Sequence, residues 1–370
     1  MPEKLKHLFN EGVVRSIAAD ISPHYQQFDG ARFVADCMDG LEDLELTQRA
    51  MHIAVAIQKS LTNDFATSSR IIEASLGPEL GDGDGCGMEP LRYWPHMFYV
   101  ARYGLGDFEA SMRFQYELTK RSTAEGSIRA FIEEYPERTY ERLLGWTSDP
   151  NMHVRRLVSE GTRPRLPWAS RLRAFQEDPA PVIRLLELLK DDPERYVQRS
   201  VANNLNDIAK DHPSAAVEVC RRWSIEATPG RKWIVRHALR SLVKQGNREA
   251  LEVMGYASSP LLTIKDVLFT PTQVALGGKL RFSLGLVSES DHDQRLLIDY
   301  AVHFVKANGK RAPKVFKLRE LVLPTGGDII LEGSVSFAEM STRKPRTGVH
   351  RIDLLVNGVS HDLGEFEVIP

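Results

Sequence analysis

The chain of 370 residues has little cysteine and no long apolar run, and each absence excludes a class of protein. Its three cysteines, Cys37, Cys86 and Cys220, are far apart and odd in number, so they fit neither a disulfide framework nor a CxxC metal site. No run of about 18 apolar residues is present, and we expect no membrane span. The charged N-terminus, MPEKLKHLFNEG, is unlike a secretory signal. We therefore expect a cytoplasmic protein, located in a bacterial-type cytosol or nucleoid.

Sequence motifs for bound cofactors are also missing. No GxGxxG motif follows a strand pattern and there is no Walker A motif, so we expect no nucleotide cofactor. The histidines His153, His212 and His237 lack the spacing of metal ligands. The glycine-rich segment 81–87 lacks the oxygen ligands that an EF-hand requires. We expect neither a metal nor any other cofactor.

Charge is distributed unevenly along the chain. Residues 1–119 hold 10 Lys/Arg against 18 Asp/Glu, a net charge of −8. Residues 120–260 hold 24 against 19, a net of +5, and residues 261–370 hold 14 against 13, a net of +1. A basic middle section permits a face that binds a polyanion, although it does not require one.

The periodicity of apolar residues divides the chain near residue 260. Up to residue 258 the apolar residues recur at helical spacing, which predicts amphipathic helices over 3–20, 43–60, 92–104, 107–119, 124–134, 136–147, 179–190, 193–209, 213–224 and 229–245. From residue 261 to 370, seven short β-rich runs are separated by turns such as Asn308-Gly309 and Asn357-Gly358. We therefore predict a mainly α protein in which a helical domain, 1–258, precedes an immunoglobulin-like β-sandwich, 261–370.

The helical part contains a degenerate repeat. The segments DPNMHVRRLV (149–158), DPERYVQRSV (192–201) and PGRKWIVRHA (229–238) place Arg156, Arg199 and Arg236 at matching positions, 43 and then 37 residues apart. A weaker copy places Arg129 27 residues before Arg156. Repeats of this length built from helix pairs are typical of a HEAT-like helical solenoid, which presents one helix of each pair on a concave face.

This register predicts which side chains share the inner face. Neighbours at helical spacing from the four arginines include Glu125, Glu133, Glu160, Asn203, Asp207 and Arg240. One surface would then carry both cations, which suit phosphates, and a few carboxylates. The alternative is Arg–Glu pairing between helices that only sets the register of the repeats.

An irregular loop interrupts the repeats. The segment SEGTRPRLPW (159–168) ends a helix at Gly161, offers Arg163 and Arg165 on a proline-stiffened loop and then presents Trp168. Together with TAEGSIRAFI (123–132), the segment from 192 to 213 and GRKWIVRHALRSLVKQG (230–246), it resembles the AlkC-type DNA alkylation repair glycosylases, which are built from HEAT-like repeats. The resemblance extends to the immunoglobulin-like domain found in one subgroup.

The resemblance implies an activity. Such enzymes cleave the N-glycosidic bond of cationic alkylated bases in DNA, notably 3-methyladenine and 3-methylcytosine, without flipping the lesion into a deep pocket. The corresponding site would comprise Glu125, Glu160, Asp207 and Trp168, with Arg156 close by. No lysine occupies a matched position, so we expect a monofunctional enzyme that leaves free base and an abasic site. Structural alternatives stay open for three of these residues: Asp207 could pair with Arg199 or Lys210, Glu125 could cap a helix, and Trp168 could fill a gap between helix pairs.

Basic residues in both domains are candidate DNA contacts. In the helical domain they are Arg156, Arg163, Arg165, Arg199, Lys232, Arg236 and Arg240. In the β-domain two basic loops contribute Lys310, Arg311, Arg343 and Lys344. One of these loops could complete the encircling of the duplex, or both could be solvated hairpin tips.

We therefore expect a monomer whose partner is alkylated duplex DNA. Two other classes of protein stay open from the sequence. One is a non-catalytic HEAT-repeat scaffold that binds DNA or a protein partner. The other is an unrelated enzyme with a pocket for a small molecule.

Overall fold

The computed structural model describes residues 5–81, 89–256, 260–339 and 344–370. It confirms a mainly α chain that ends in an immunoglobulin-like β-sandwich. The α-helices of the described residues are α1 (Glu11–Ile21), α2 (Gly30–Met38), α3 (Leu46–Ser60), α4 (Phe65–Ser75), α5 (Trp94–Tyr103), α6 (Phe108–Thr119), α7 (Ile128–Glu134), α8 (Pro136–Trp146), α9 (Met152–Gly161), α10 (Arg173–Glu177), α11 (Ala180–Leu189), α12 (Arg195–Ile208), α13 (Pro213–Ser224), α14 (Pro229–Ala238), α15 (Arg240–Lys244) and α16 (Arg248–Val253). None of these described helices is long and apolar enough to cross a membrane.

Four of the described helices, α2, α4, α10 and α16, were missed by the periodicity argument, and one predicted helix is divided. Helices α2 and α4 are short, and each begins after an aspartate, Asp29 or Asp64, whose side chain accepts a hydrogen bond from a backbone N–H of the first turn. The predicted helix 229–245 is interrupted at Leu239, between α14 and α15, where the ψ of −2° departs from the usual α-helical value of about −42°. The apolar spacing continues across that turn, so the pattern alone did not reveal it.

Contacts within the chain define two compact units. The first includes the chain up to Ala216 together with Ile225–Ala238, and the second includes Val217–Ser224 and the chain from Leu239 onward. The predicted domain boundary at 258–261 stays a prediction, because residues 257–259 lie outside the described part of the chain.

In the first unit, the repeated helices pack against each other in sequence. Helix α12 packs against both α9 and α14, and α11 contacts both α9 and α12. Arg156 and Arg199 are each the fifth residue of their helix, which agrees with the repeat register. The faces between the helices bury Val154, Leu157 and Val201 completely or almost so. Apolar burial therefore fixes how the polar faces of α9 and α12 meet.

The second unit is a sandwich of two sheets. Its strands in the described residues are β1 (Leu262–Thr270), β2 (Gln273–Ala275), β3 (Lys279–Ser288), β4 (Gln294–Val305), β5 (Arg311–Leu323), β6 (Asp328–Ser336), β7 (Gly348–Val356) and β8 (Val359–Ile369). One sheet has the order β1-β3-β6 and the other β2-β8-β7-β4-β5. Seven of these strands were predicted. The exception, β2, has three residues and pairs parallel with β8, so it is too short to show an alternating pattern.

Helix α16 belongs to the same unit as the sandwich. Leu251 of α16 and Tyr256 pack against Leu297 of β4 in a small apolar cluster. The guanidinium of Arg295 lies over the ring of Tyr256, 4.8 Å from its centre, and donates a hydrogen bond to the carbonyl of Met254. The last helical turns therefore share a core with the β-strands that follow them.

Candidate active site

The three carboxylates that the sequence placed on one face come together in the first unit. Glu160 is in the last turn of α9, Asp207 is in the last turn of α12, and Glu125 lies three residues before α7. A carboxylate in the last turn of a helix opposes the helix dipole, which costs about 0.3–1 kcal/mol. Such violations of a local rule are concentrated at functional sites in natural proteins.

Two arginines join these carboxylates into a continuous series of ion pairs. Arg156 Nη1 lies 2.5 Å from Glu125 Oε2, and its Nη2 lies 3.7 Å from Glu160 Oε1. Arg163 Nη1 lies 2.6 Å from the same oxygen of Glu160, and its Nε lies 2.8 Å from Asp207 Oδ2. We call Glu125, Arg156, Glu160, Arg163 and Asp207 the ion-pair chain. Its charges alternate in sign, so each carboxylate has a cation beside it.

Because the carboxylates are buried, breaking one of these ion pairs costs more stability than breaking an ion pair on the surface. Glu160 is 7% exposed and Asp207 is 2% exposed. A buried carboxylate whose charge partner was removed would be strongly destabilised, typically by about 3–5 kcal/mol. The arginines are therefore what allows two carboxylates to be kept at low exposure on adjacent helices.

Glu160 has a further donor in a neighbouring helix. Ser200 of α12 donates a hydrogen bond of 2.6 Å to Glu160 Oε2, and Ser159 in turn donates one of 2.7 Å to the Ser200 hydroxyl. Burial raises the pKa of the Glu160 carboxyl, but the charges of Arg156 and Arg163 and the Ser200 hydrogen bond outweigh it. The pKa of Glu160 is therefore held below its ordinary value, and the side chain is ionised at neutral pH.

Glu125 is held by Arg156 and Thr123. The Thr123 hydroxyl donates a hydrogen bond of 2.8 Å to Glu125 Oε2 and accepts one from Arg156 Nη1 at 3.1 Å. Helix α7 begins only at Ile128. The Glu125 carboxylate is thus the first member of the ion-pair chain. Its contacts are with Arg156 and Thr123, whereas the alternative that stayed open from the sequence was that Glu125 caps a helix.

Asp207 has two cationic partners. In addition to Arg163, Lys210 Nζ lies 2.8 Å from Asp207 Oδ1. The sequence had offered Lys210 as one of two alternative partners, but the contact with Arg163 was not foreseen, because Arg163 belongs to the loop after α9. The pairing with Lys210 accompanies the contact with Arg163.

The loop that carries Arg163 and Trp168 is held by a buried arginine. Arg129 Nη1 donates hydrogen bonds to the carbonyls of Gly161 and Arg163, at 3.0 and 2.8 Å, and its Nε and Nη2 donate to the carbonyl of Ser170. Burial lowers the pKa of Arg129 to about 10, so the guanidinium is charged at neutral pH. The sequence had grouped Arg129 with the inner-face cations, whereas the structure assigns its donors to the backbone of this loop.

Trp168 projects from that loop into solvent. The residue is 70% exposed, and its backbone has a φ of 63°, in the left-handed region. For a bulky residue that conformation costs about 1–2 kcal/mol, and strain of this kind is most often found at functional sites. Its indole meets Trp94 of α5 edge to face, with the ring centres 5.7 Å apart. A ring this exposed does not fill a gap between helix pairs.

The remaining predicted DNA contacts of the helical part fall into two groups. Arg165 pairs with Asp211 through contacts of 2.5 and 2.9 Å, and the hydrogen bond from Arg165 holds the pKa of Asp211 below its ordinary value. Like Arg156 and Arg163, it thus has a carboxylate partner. The second group is exposed to solvent and comprises Arg199, Lys232, Arg236 and Arg240.

In the second unit the basic loops border a shallow cleft. Its volume is about 660 Å³, and its cationic lining residues are Lys306, Lys314, Lys344 and Arg346. Lys310 is exposed on the adjoining hairpin. Arg311 lies 2.5 Å from Glu365, and Lys344 lies 3.3 Å from Glu339. Arg343 lies outside the described residues.

Sequence reasoning missed the residues that support the site from other elements. Ser200 and Trp94 contact Glu160 and Trp168 across elements, so no spacing within one helix could have indicated them. Within the described residues, no group of three or more His, Cys, Asp or Glu side chains could hold a metal ion. The chemistry that this arrangement supports is electrostatic: carboxylates gathered in the same unit as an exposed aromatic face can stabilise a cation.

Comparisons with known proteins identify the family of the chain. The family model described as "DNA alkylation repair enzyme" matches residues 118–242, and that described as "Uncharacterised protein YhaZ, C-terminal Ig-like domain" matches 263–370. The "Uncharacterized protein YhaZ" of Bacillus subtilis (strain 168) is 34% identical over 365 residues, 98% of this chain and 99% of the relative. The solved structure of Pseudomonas fluorescens alkylpurine DNA glycosylase AlkC, bound to DNA containing an abasic site analog, superposes with a TM-score of 0.88 at 37% identity, over 100% of both chains. The chain therefore belongs to the AlkC-type family of DNA alkylation repair enzymes, in the form that carries a C-terminal immunoglobulin-like domain.

Proposed function

We propose that the protein is a monofunctional DNA glycosylase that hydrolyses the N-glycosidic bond of cationic alkylated bases, 3-methyladenine and 3-methylcytosine, in DNA. The observation that carries this proposal is the ion-pair chain, which gathers three carboxylates in the same unit as the exposed indole of Trp168. The family membership supports the same activity. The product would be an abasic site, which initiates base excision repair.

Removal of a cationic base requires few catalytic groups from the enzyme. The positive charge on the alkylated ring already makes it a good leaving group, so no strong general acid is required. As the bond from C1′ to nitrogen breaks, positive charge develops on the deoxyribose, as in glycoside hydrolysis. Ionised carboxylates stabilise that charge, and one preorganised group of this kind is worth about 2–4 kcal/mol.

The two buried carboxylates and the less buried one suit different tasks. Glu160 and Asp207 are the main candidates for stabilising the sugar cation, because their low exposure strengthens electrostatic interactions. Glu125 is partly exposed and lies at the end of the ion-pair chain, where it can orient or deprotonate water. The face of Trp168 can lie against the deoxyribose, a cation–π contribution of about 1–2 kcal/mol. An exposed ring also suits a lesion that stays in the base stack.

The proposed DNA contacts divide by their surroundings. Arg199, Lys232, Arg236 and Arg240 are exposed and suit phosphates of the DNA backbone. Arg156, Arg163 and Arg165 have carboxylate partners, which supports a role in positioning the acidic residues. We propose alkylated duplex DNA as the partner of a monomeric protein in the bacterial-type cytosol or nucleoid.

The test of the activity is release of free base from duplex DNA treated with dimethyl sulfate. We expect the purified protein to release 3-methyladenine and to leave abasic sites without strand cleavage. Borohydride should trap no covalent adduct, because a monofunctional enzyme forms no Schiff base. Salt-sensitive DNA binding without release of base would contradict the proposal and leave a non-catalytic scaffold.

We also propose that the basic cleft of the β-sandwich contacts DNA phosphates. Removing a phosphate contact lowers the slope of log affinity against log salt by about one. The double variant Lys306→Ala, Lys310→Ala should therefore reduce the salt slope by about two relative to wild type. Lys279→Ala is the matched control, because this exposed lysine lies in the three-stranded sheet and does not line the cleft. An unchanged salt slope in the double variant would exclude this contact.

A further inference from the structure

Helix α5 touches the candidate active site at two separate points, although it lies outside the part of the chain matched by the DNA alkylation repair model, 118–242. Its first residue, Trp94, meets the exposed ring of Trp168. One turn later, Met97 packs against Gly126, the residue after Glu125. The helix therefore connects two segments that carry site residues.

The contact with Trp168 is geometrically specific. The two indole planes are inclined at 69° with centres 5.7 Å apart, the edge-to-face arrangement that aromatic pairs favour. Trp94 is 9% exposed and Trp168 is 70% exposed, so a fixed ring supports one that extends into solvent. The contact with Trp94 sets the orientation of the Trp168 ring, and the Trp168 ring still has a face exposed to solvent.

The contact at Gly126 is equally close. A Cβ atom at position 126 would lie 2.8 Å from both Sδ and Cε of Met97, closer than real atoms approach. Both atoms belong to the flexible end of the Met97 side chain, so this contact shows that α5 and the segment carrying Glu125 are in direct contact. Helix α5 therefore contacts the segment that carries Glu125 as well as the ring of Trp168.

The start of α5 is itself anchored. Arg92 donates hydrogen bonds to Ser16 and Asp20 of α1, at 3.2 and 3.1 Å. The Tyr93 hydroxyl accepts one of 2.9 Å from the Gly77 backbone N–H. These polar contacts precede Trp94 directly in the sequence, so the N-terminal helices fix the ring that supports Trp168.

We propose that Trp94 is a positioning residue of the active site, which holds the Trp168 ring in the orientation needed against the deoxyribose of the lesion. This inference rests on the proposed glycosylase function. It assigns a task to the acidic N-terminal region, which would act through α5 on Trp168. Trp94 itself is buried and does not touch the substrate.

The test uses the full-length protein and duplex DNA treated with dimethyl sulfate, and it measures DNA affinity and the single-turnover rate of base release separately. Trp94→Leu should lower the rate by about ten- to a hundredfold, because misplacing a group by about 1 Å can cost a hundredfold. DNA affinity should change by less than about threefold, since phosphate contacts supply most of it. Trp94→Phe keeps an aromatic edge and should retain most of the rate.

A matched control separates positioning from stability. Trp146 of α8 is 8% exposed and also packs against an aromatic ring, that of Tyr116. Trp146→Leu should lower the melting temperature about as much as Trp94→Leu and leave the rate of base release unchanged. In addition, Trp94→Phe and Trp168→Phe should remove the same exciton band of coupled indoles from the circular dichroism spectrum, whereas Trp146→Phe should keep it.

The outcomes distinguish this inference from the function on which it rests. If wild type releases no base, the proposed function fails. If wild type is active and Trp94→Leu releases base at the wild-type rate, the positioning role is wrong. It is also wrong if Trp94→Leu and Trp146→Leu slow the reaction equally. A residue that acts through Trp168 should have little effect on the rate when the Trp168 ring is absent. The positioning role is therefore also wrong if Trp94→Leu reduces the rate as strongly in a Trp168→Ala background as in wild type.

Discussion

Glu160 stays ionised in a buried position because its two oxygens have different donors. Oε1 faces Arg163, while Oε2 accepts the hydrogen bond of Ser200. A carboxylate that accepts hydrogen bonds in its charged form is fixed in orientation as well as in charge. The geometry therefore sets both where Glu160 points and the pH range over which it can stabilise a cation.

This account predicts the effect of Ser200→Ala. Removing a donor to the charged form raises the pKa of Glu160, so the acid limb of the pH–rate profile should move to higher pH. The rate of base release at neutral pH should fall by about three- to tenfold, since a hydrogen bond to a charged group is worth roughly 1.5–3 kcal/mol, of which water recovers part. The measurement is single-turnover release from alkylated DNA across the pH range.

Ser69→Ala serves as the control for that variant. Ser69 is also fully buried and donates to a backbone carbonyl, that of Ala66, on α4. Its replacement should leave the acid limb where it is. If Ser200→Ala also left the limb unmoved, the hydrogen bond would not control the ionisation of Glu160.

At the level of elements, the junction between α9 and α7 aligns two carboxylates of the ion-pair chain, Glu125 and Glu160. Gly161, the last residue of α9, lies against Ile128, the first residue of α7. The next residue of α7, Arg129, donates a hydrogen bond to the carbonyl of Gly161. Glu160 and Glu125 each lie within three residues of this contact. The close approach of the two helices therefore determines the spacing of two carboxylates.

Gly161→Ala tests the importance of that approach. The new Cβ would lie 2.5 Å from Ile128 Cγ2, so α9 must shift or Ile128 must move. Overpacking of this kind costs about 1–3 kcal/mol of unfolding free energy, and we expect a loss of activity along with it. Both can be measured, by urea unfolding and by base release.

The matched control is Gly145→Ala in α8, where a Cβ would meet nothing within 4 Å. Replacing glycine by alanine inside a helix with space around it should stabilise the protein by about 0.5–1 kcal/mol and leave the activity unchanged. Equal behaviour of the two variants would show that the junction is not closely packed.

The same elements show what the sequence could and could not predict. The repeat placed Glu160 and Asp207 near one another because helical spacing and equivalent positions in successive repeats determine which face a residue occupies. The pattern could not predict Arg163 between them, because the path of the loop after α9 depends on the buried Arg129. Nor could it predict Trp94, since the T-shaped contact joins residues 74 positions apart.

At the level of the whole molecule, the fold class followed from periodicity, whereas the small elements did not. The alternation of apolar residues was strong enough to predict seven of the strands. Helix α2 and strand β2 were missed, because nine and three residues carry too little pattern. The role that we propose for the acidic N-terminal helices rests on three-dimensional contacts, since charge alone did not indicate any partner.

The stability of the first unit should depend on pH through a buried histidine. Burial, with a smaller contribution from Arg92, lowers the pKa of His96 in α5 to about 3, so the ring is neutral in the folded protein. In the unfolded chain a histidine has a pKa near 6.5. As the pH falls below about 6.5 the unfolded state binds a proton that the folded state does not bind, and the free energy of unfolding falls by about 1.4 kcal/mol for each pH unit.

His96→Leu should remove this dependence. Between pH 7 and pH 5 the wild type should lose about 2 kcal/mol more unfolding free energy than the variant. Tryptophan fluorescence during urea unfolding can follow this loss, because all of the tryptophans except Trp223 belong to the first unit. The exposed His24 provides the control, since His24→Leu should keep the pH dependence of the wild type. Parallel curves for wild type and His96→Leu would show that His96 does not cause the loss.

The most direct test of the central claim is the single-turnover rate of 3-methyladenine release by Glu160→Gln and Asp207→Asn. Both changes keep the shape of the side chain and remove its charge. We expect each variant to bind DNA within about threefold of wild type and to release base at least about thirtyfold more slowly, which corresponds to a loss of about 2 kcal/mol. Asp192→Asn removes the charge from another buried aspartate paired with an arginine, Arg155, and should keep the wild-type rate. Release of base at the wild-type rate by Glu160→Gln and Asp207→Asn would contradict the account.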